Sequence, residues 1–188
     1  MRKILAILIL IFTVSACSKP NLVQMQRSPQ LSAVFKGKLW WKLKVIQNGK
    51  ERINGGYASF VAGKDFLIVN LRSPFNFKLA TIFWKRDNPN RIDVIDYFHE
   101  RRIVFLFTNK KLPLLPYYFL GLLETKKRFK LFKDTYATYE FSKKKRQGLV
   151  KGKNFYFLWK FKSIKKISSN LKPVLRVPKD FRVIVITF

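Results

Sequence analysis

This 188-residue chain has one cysteine, one histidine and ten acidic residues set against 39 Lys and Arg, a formal net charge of +29. A single cysteine excludes an intrachain disulfide and any cysteine-pair redox or metal site. A single histidine, His99, leaves no His-based metal centre. No G-x-S-x-G, H-E-x-x-H or phosphate-binding P-loop occurs. The nearest thing to a catalytic or metal group is Asp93, Asp96, His99 and Glu100. Asp93 and Asp96 lie in the β-rich stretch IDVIDYF, and on a strand a three-residue spacing sends side chains to opposite faces. Exposed turn charges are therefore the expected role, and neither an enzyme nor a metal site is expected.

Long apolar runs are scarce too. Ile4 to Val14 is almost purely apolar, but a membrane-crossing helix takes roughly 20 such residues. With Met1-Arg2-Lys3 before it and small residues after it, the run reads as a secretory signal. Val14-Ser15-Ala16-Cys17 matches a bacterial lipobox. The lone thiol of Cys17 is then an anchor rather than a nucleophile: residues 1–16 are removed as a lipoprotein signal peptide and Cys17 carries the lipid. Each buried CH₂ of an acyl chain contributes roughly 0.8 kcal/mol, so two or three chains hold a protein on a membrane.

What the chain does have is aromatic and basic. It carries 19 Phe, 7 Tyr and 4 Trp, enough for the core of one domain and for some aromatic surface besides. Basic runs at Lys110-Lys111, Lys126-Lys127-Arg128, Lys143-Lys144-Lys145-Arg146 and Lys165-Lys166 interrupt apolar stretches. In a cytosolic protein they would point to nucleic acid. Export argues against that, and leaves phospholipid head groups, anionic glycolipid and acidic polymers as partners, or simply solvated loop tips.

Along the chain, residues 17–33 read as an acylated tether with a short helix at 22–27 between Pro20 and Pro29. A single domain follows over 34–188. Phe35, Gly37, Leu39, Trp41, Leu43 and Val45 alternate with Lys36, Lys38, Trp40, Lys42 and Lys44, the period-two pattern of a half-buried strand. Further strands are expected at 57–61, 65–71, 78–84, 91–96, 103–108, 135–141, 154–161, 174–177 and 182–188, separated by turn residues. Short strands at regular spacing predict a mainly β fold, an antiparallel sheet that curls into an incomplete, unclosed barrel. One stretch, LPLLPYYFLGLLE (112–124), lacks alternation and reads as a very apolar short helix over 116–126, a lid for the sheet. Phe155, Phe157, Trp159 and Phe161 make an aromatic stripe on one strand face. Together with Leu39, Trp41 and Phe119 these rings either fill a core or line a hydrophobic cavity of the kind that takes apolar ligands.

The residues resemble a known family. The lipobox at Cys17, the strand Phe35-Lys36-Gly37-Lys38-Leu39, the stretch LIVNLRSPFNF (67–77) and the helix LPLLPYYFLGLLE are similar to the outer-membrane lipoprotein receptor family LolB, of the LolA/LolB-like superfamily. The closing Pro173…Val177-Pro178…Val183-Ile184-Val185-Ile186 fits the same order. Asn76 and Phe75 stand where that family usually has glycine and leucine. The resemblance implies a lipid-anchored, monomeric receptor in the outer membrane, facing the periplasm, with neither cofactor nor ATP. It would accept lipoprotein cargo from a LolA-like periplasmic carrier in the cavity lined by Leu39, Trp41, Phe119, Phe155, Phe157 and Trp159. It would then insert the cargo through a protruding loop bearing Pro74, Phe75 and Phe77, with Arg72 and Lys78 beside it for lipid phosphates. The other readings are an envelope lipoprotein that binds anionic glycolipid or polymer through its Lys-rich loops, and a structural subunit of an envelope complex.

Overall fold

The computed structural model describes residues 33–106, 115–123, 126–132, 135–167 and 174–187. The expected signal peptide, Cys17, the 22–27 helix and all but the last residue of the tether lie outside them. Eleven strands follow in chain order: β1 (Val34–Gln47), β2 (Lys50–Gly63), β3 (Phe66–Arg72), β4 (Lys78–Lys85), β5 (Arg91–Asp96), β6 (Arg101–Leu106), β7 (Lys126–Phe132), β8 (Thr135–Ser142), β9 (Gln147–Gly152), β10 (Phe155–Ile167) and β11 (Arg182–Thr187). Among the described residues one short helix, α1 (Leu115–Leu120), stands between β6 and β7.

All eleven strands belong to one sheet, in the order β11-β6-β5-β4-β3-β2-β1-β10-β9-β8-β7. Neighbours pair antiparallel except β11, which runs parallel to β6. Among the described residues the end strands β7 and β11 do not pair with each other, so the sheet is an unclosed barrel, as the alternation predicted. The two longest strands, β1 and β2, lie near its middle. Leu39, Trp41, Leu43 and Val45 of β1 face the same side as Phe60 of β2, Val69 of β3, Trp84 of β4 and Phe161 of β10, and all are buried in one cluster. The lysines that alternate with them face outward. Burying each such apolar side chain contributes about 1.5–3 kcal/mol, and a one-residue slip of β1 would turn its own four, Leu39, Trp41, Leu43 and Val45, to solvent.

The helix is shorter than the 116–126 predicted. It ends at Leu120 because Gly121 adopts a left-handed conformation, φ 69°. The Gly121 N–H bonds to the Tyr118 carbonyl at 3.1 Å and the Leu122 N–H to the Tyr117 carbonyl at 2.9 Å. That double closure is the usual glycine stop at a helix end. Residues from Lys126 form β7 instead. A Cβ on Gly121 would sit 2.2 Å from the Phe141 ring, so the stop also seats the helix end against β8.

Three other expectations change. β9 forms directly after the basic run, where no strand was expected. Residues 174–177 form no strand; Leu175 and Val177 are half-buried while Val174 and Arg176 are exposed. This strap crosses the outer, convex face of the sheet to Arg182, whose N–H bonds to the Glu100 carbonyl at 3.2 Å where β11 begins. Finally, Asp93 and Asp96 are buried, 5% exposed each, rather than exposed turn charges. They do point to opposite faces. Asp93 holds Arg91 and Arg102 on the convex side, and Asp96 holds His99 and Arg101 at the sheet end. Such pairing is what makes a buried carboxylate tolerable.

Candidate functional site

The concave face and one end of the sheet carry the residues singled out by sequence. On the concave face α1 lies over the aromatic stripe, and all six of its residues are buried. The last carbonyls of a helix take donors from beyond it. The sheet contributes two besides the glycine stop: Tyr139 Oη–H donates to the Tyr118 carbonyl at 2.8 Å and Trp159 Nε1–H to the Phe119 carbonyl at 3.1 Å. Burial pushes the Tyr139 phenol well above the ordinary tyrosine range, and the neighbouring Tyr118 adds to the shift; it donates as a neutral group.

The Phe119 ring packs against Phe60, Phe161 and Trp159, with centroids 5.2, 5.5 and 6.2 Å away. Phe157 continues the stack, 5.7 Å from Trp159. Leu39, Trp41, Phe119, Phe157 and Trp159 are all buried, while Phe155 at the start of β10 is half-buried. The structure thus brings the six together with α1 inserted among them, as a filled interior. Gly148 of β9 makes room for this packing, since a Cβ there would meet the Trp159 ring at 2.0 Å.

At the sheet end where β3 turns into β4, Ser73 to Phe77 form a closed, rigid turn. Asn76 N–H bonds to the Ser73 carbonyl at 3.0 Å, Ser73 N–H to the Phe77 carbonyl at 2.9 Å, and Phe77 N–H to Ser73 Oγ at 3.1 Å. Pro74 sets the first turn residue and Asn76 takes the left-handed conformation, φ 68°. Phe75 at the apex is 84% exposed and Phe77 70%. Arg72 braces the turn by donating to the Asn76 carbonyl at 3.1 Å. Lys78 lies 4.0 Å over the Tyr97 ring.

Sequence reasoning missed a third aromatic at this end. Tyr97 N–H bonds to the Leu79 carbonyl at 3.1 Å, which sets the β5–β6 turn beside the start of β4. In that turn Phe98 is 69% exposed. The signal was available: Phe98 sits between Tyr97 and His99 in a turn, just as Phe75 sits between Pro74 and Asn76. Exposed rings clustered at one rim are a mark of an interaction surface. Among the described residues no group of His, Cys, Asp and Glu is disposed to hold a metal ion, and no helix is long and apolar enough to cross a membrane.

No family model matches the sequence, and no characterised protein matches it by sequence. Among solved structures, one titled "Structure of PNGF-II in C2 space group" is similar over 83% of this chain, with 9% identity and a TM-score of 0.32. This chain spans 31% of the length of that one. A likeness at this level carries no functional meaning.

Proposed function

We propose that this chain is a lipid-anchored lipoprotein receptor of the LolB kind, which accepts acylated cargo from a periplasmic carrier and passes it into the outer membrane. The observation that carries this reading is the braced turn with Phe75 and Phe77 held out to solvent. An exposed ring on a rigid turn is costly unless it meets an apolar phase, and burying one in a bilayer contributes on the order of 2 kcal/mol. Basic Arg72 and Lys78 flank it, suited to lipid phosphates. The concave interior supports the second half of the reading. It is apolar and aromatic, and it is capped by one short helix tied to the sheet by two side-chain hydrogen bonds. Acyl chains enter by taking the place of α1 against Trp159, Phe157, Trp41 and Leu39. A tenfold preference over the carrier, enough to drive transfer downhill, takes about 1.4 kcal/mol. The lipobox at Cys17 supplies the anchor.

The test is transfer of a labelled lipoprotein from its carrier to liposomes containing this protein, at low and high salt. Acyl-chain capture keeps its yield as ionic strength rises. Binding through the lysine-rich loops alone falls steeply with salt, and that result would replace this reading with an anionic glycolipid- or polymer-binding one.

A further inference from the structure

The convex face, away from α1, holds a cleft of about 260 Å³ lined by Phe83, Lys85, Asn88, Arg91, Asp93, Arg102, Leu175 and Val177. Its floor is β4, β5 and β6, and its wall is the unpaired strap at 174–177. Asp93 organises it. Its Oδ2 accepts from Arg91 Nε at 2.8 Å, and its Oδ1 accepts from Arg91 Nη2 at 2.9 Å and Arg102 Nε at 2.8 Å, with Arg102 Nη2 2.7 Å away. One buried carboxylate therefore fixes two guanidinium planes side by side. The hydrogen bond to Asp93 raises the Arg91 pKa above its ordinary value against the opposing effect of burial, so this group stays charged.

Each guanidinium has five N–H donors. Asp93 occupies the Nε edge of both, and neither guanidinium has a further hydrogen bond with the described residues. Nη1 of each, and one hydrogen of each Nη2, are uncommitted in a cleft that also holds Lys85. Lys85 is paired with Asp87, so the cleft's excess of positive charge is that of two guanidiniums facing one carboxylate. Paired guanidinium forks match the geometry of a phosphate. The remaining walls, Phe83, Leu175 and Val177, are apolar. A purely structural ion pair would need neither the opening nor the apolar strap beside it.

We propose that this cleft is a binding site for phosphate, as a monoester or as the free ion. The free N–H groups of Arg91 and Arg102 take the phosphate oxygens, and where the phosphate is esterified Leu175 and Val177 cover the carbon side of the ligand. Two sources share this chemistry: the head group of an anionic lipid, and free phosphate.

The experiment follows the arginine Nε–H signals of the purified full chain by nitrogen-15 NMR. Inorganic phosphate or dihexanoyl phosphatidate, below its micelle concentration, is titrated in. We expect saturable shifts of two such signals, assigned by their loss in Arg91→Lys and Arg102→Lys, with one ligand per chain. Arg102→Gln should weaken binding roughly tenfold to a hundredfold, the worth of charge-assisted hydrogen bonds, while Lys144→Gln in the distant basic run should not. If phosphatidate binds about tenfold tighter than phosphate and Val177→Ser removes that advantage, the ligand is a lipid head group; equal affinities identify free phosphate. Absence of saturable shifts at these signals in the parent protein overturns the proposal, whether or not the variants fold. So does unchanged affinity in a folded Arg102→Gln variant.

Discussion

Trp159 Nε1–H donates to the carbonyl oxygen of Phe119, 40 residues away, while the two rings lie nearly parallel, 4° between planes. One side chain thus supplies both a polar tie and an apolar platform for α1. Trp159→Phe removes the donor and keeps a ring. It should cost about 1 kcal/mol and raise hydrogen exchange at the backbone amides of 117–122 before the sheet opens. Equal protection of those amides in parent and variant would show that α1 is held by packing alone.

Gly121 stops that helix in a conformation other residues rarely adopt, against the face of Phe141. Gly121→Ala should cost about 1–2 kcal/mol from the backbone alone, with more from the ring it displaces. A melting curve within a few tenths of a kcal/mol of the parent would mean that the helix end repacks freely.

Tyr139 provides a pH signature. Its folded-state pKa is raised, chiefly by burial. A raised folded pKa means that the associated stability is complete below the unfolded value, near 10 for tyrosine, and is lost as pH rises above it. The parent should lose stability above about pH 10, and Tyr139→Phe should lose less over the same range, though it starts lower for want of the bond to Tyr118. Parallel stability–pH curves for the two proteins would contradict this.

On the convex face Asp93→Asn leaves two arginines crowded without their counter-charge. Removing one member of a buried pair costs about 3–5 kcal/mol. Arg91 and Arg102 keep 33% and 27% of their side chains in solvent, which lowers the expectation to about 2 kcal/mol. Urea denaturation measures it; a neutral substitution would mean that Asp93 adds nothing net to the sheet.

Much of the sheet was legible because period-two alternation is a local signal. The Lys/apolar rhythm of β1 names its inner face residue by residue, and Pro74 with Asn76 marks the turn that projects Phe75. The filled or open state of the interior was not legible, because it depends on where α1 comes to rest between strands distant in sequence. Nor was the strap: Leu175 and Val177 alternate with exposed residues as a strand would, and only the absence of a neighbouring strand tells the two apart. The parallel pairing of β11 with β6 is likewise non-local. Asp93 and Asp96 were misjudged because burial of a carboxylate is decided by its partners. Arg102, nine residues from Asp93, becomes such a partner only once β5 and β6 pair.

The most direct measurement of the central claim is transfer of a labelled lipoprotein from carrier to liposomes by Phe75→Glu, run beside its melting curve. Phe75 is exposed at the apex of a turn held by backbone hydrogen bonds, so the variant should melt with the parent and still take cargo from the carrier. It should fail to deliver that cargo to the bilayer. Normal delivery by a Phe75→Glu protein that melts with the parent would contradict the account.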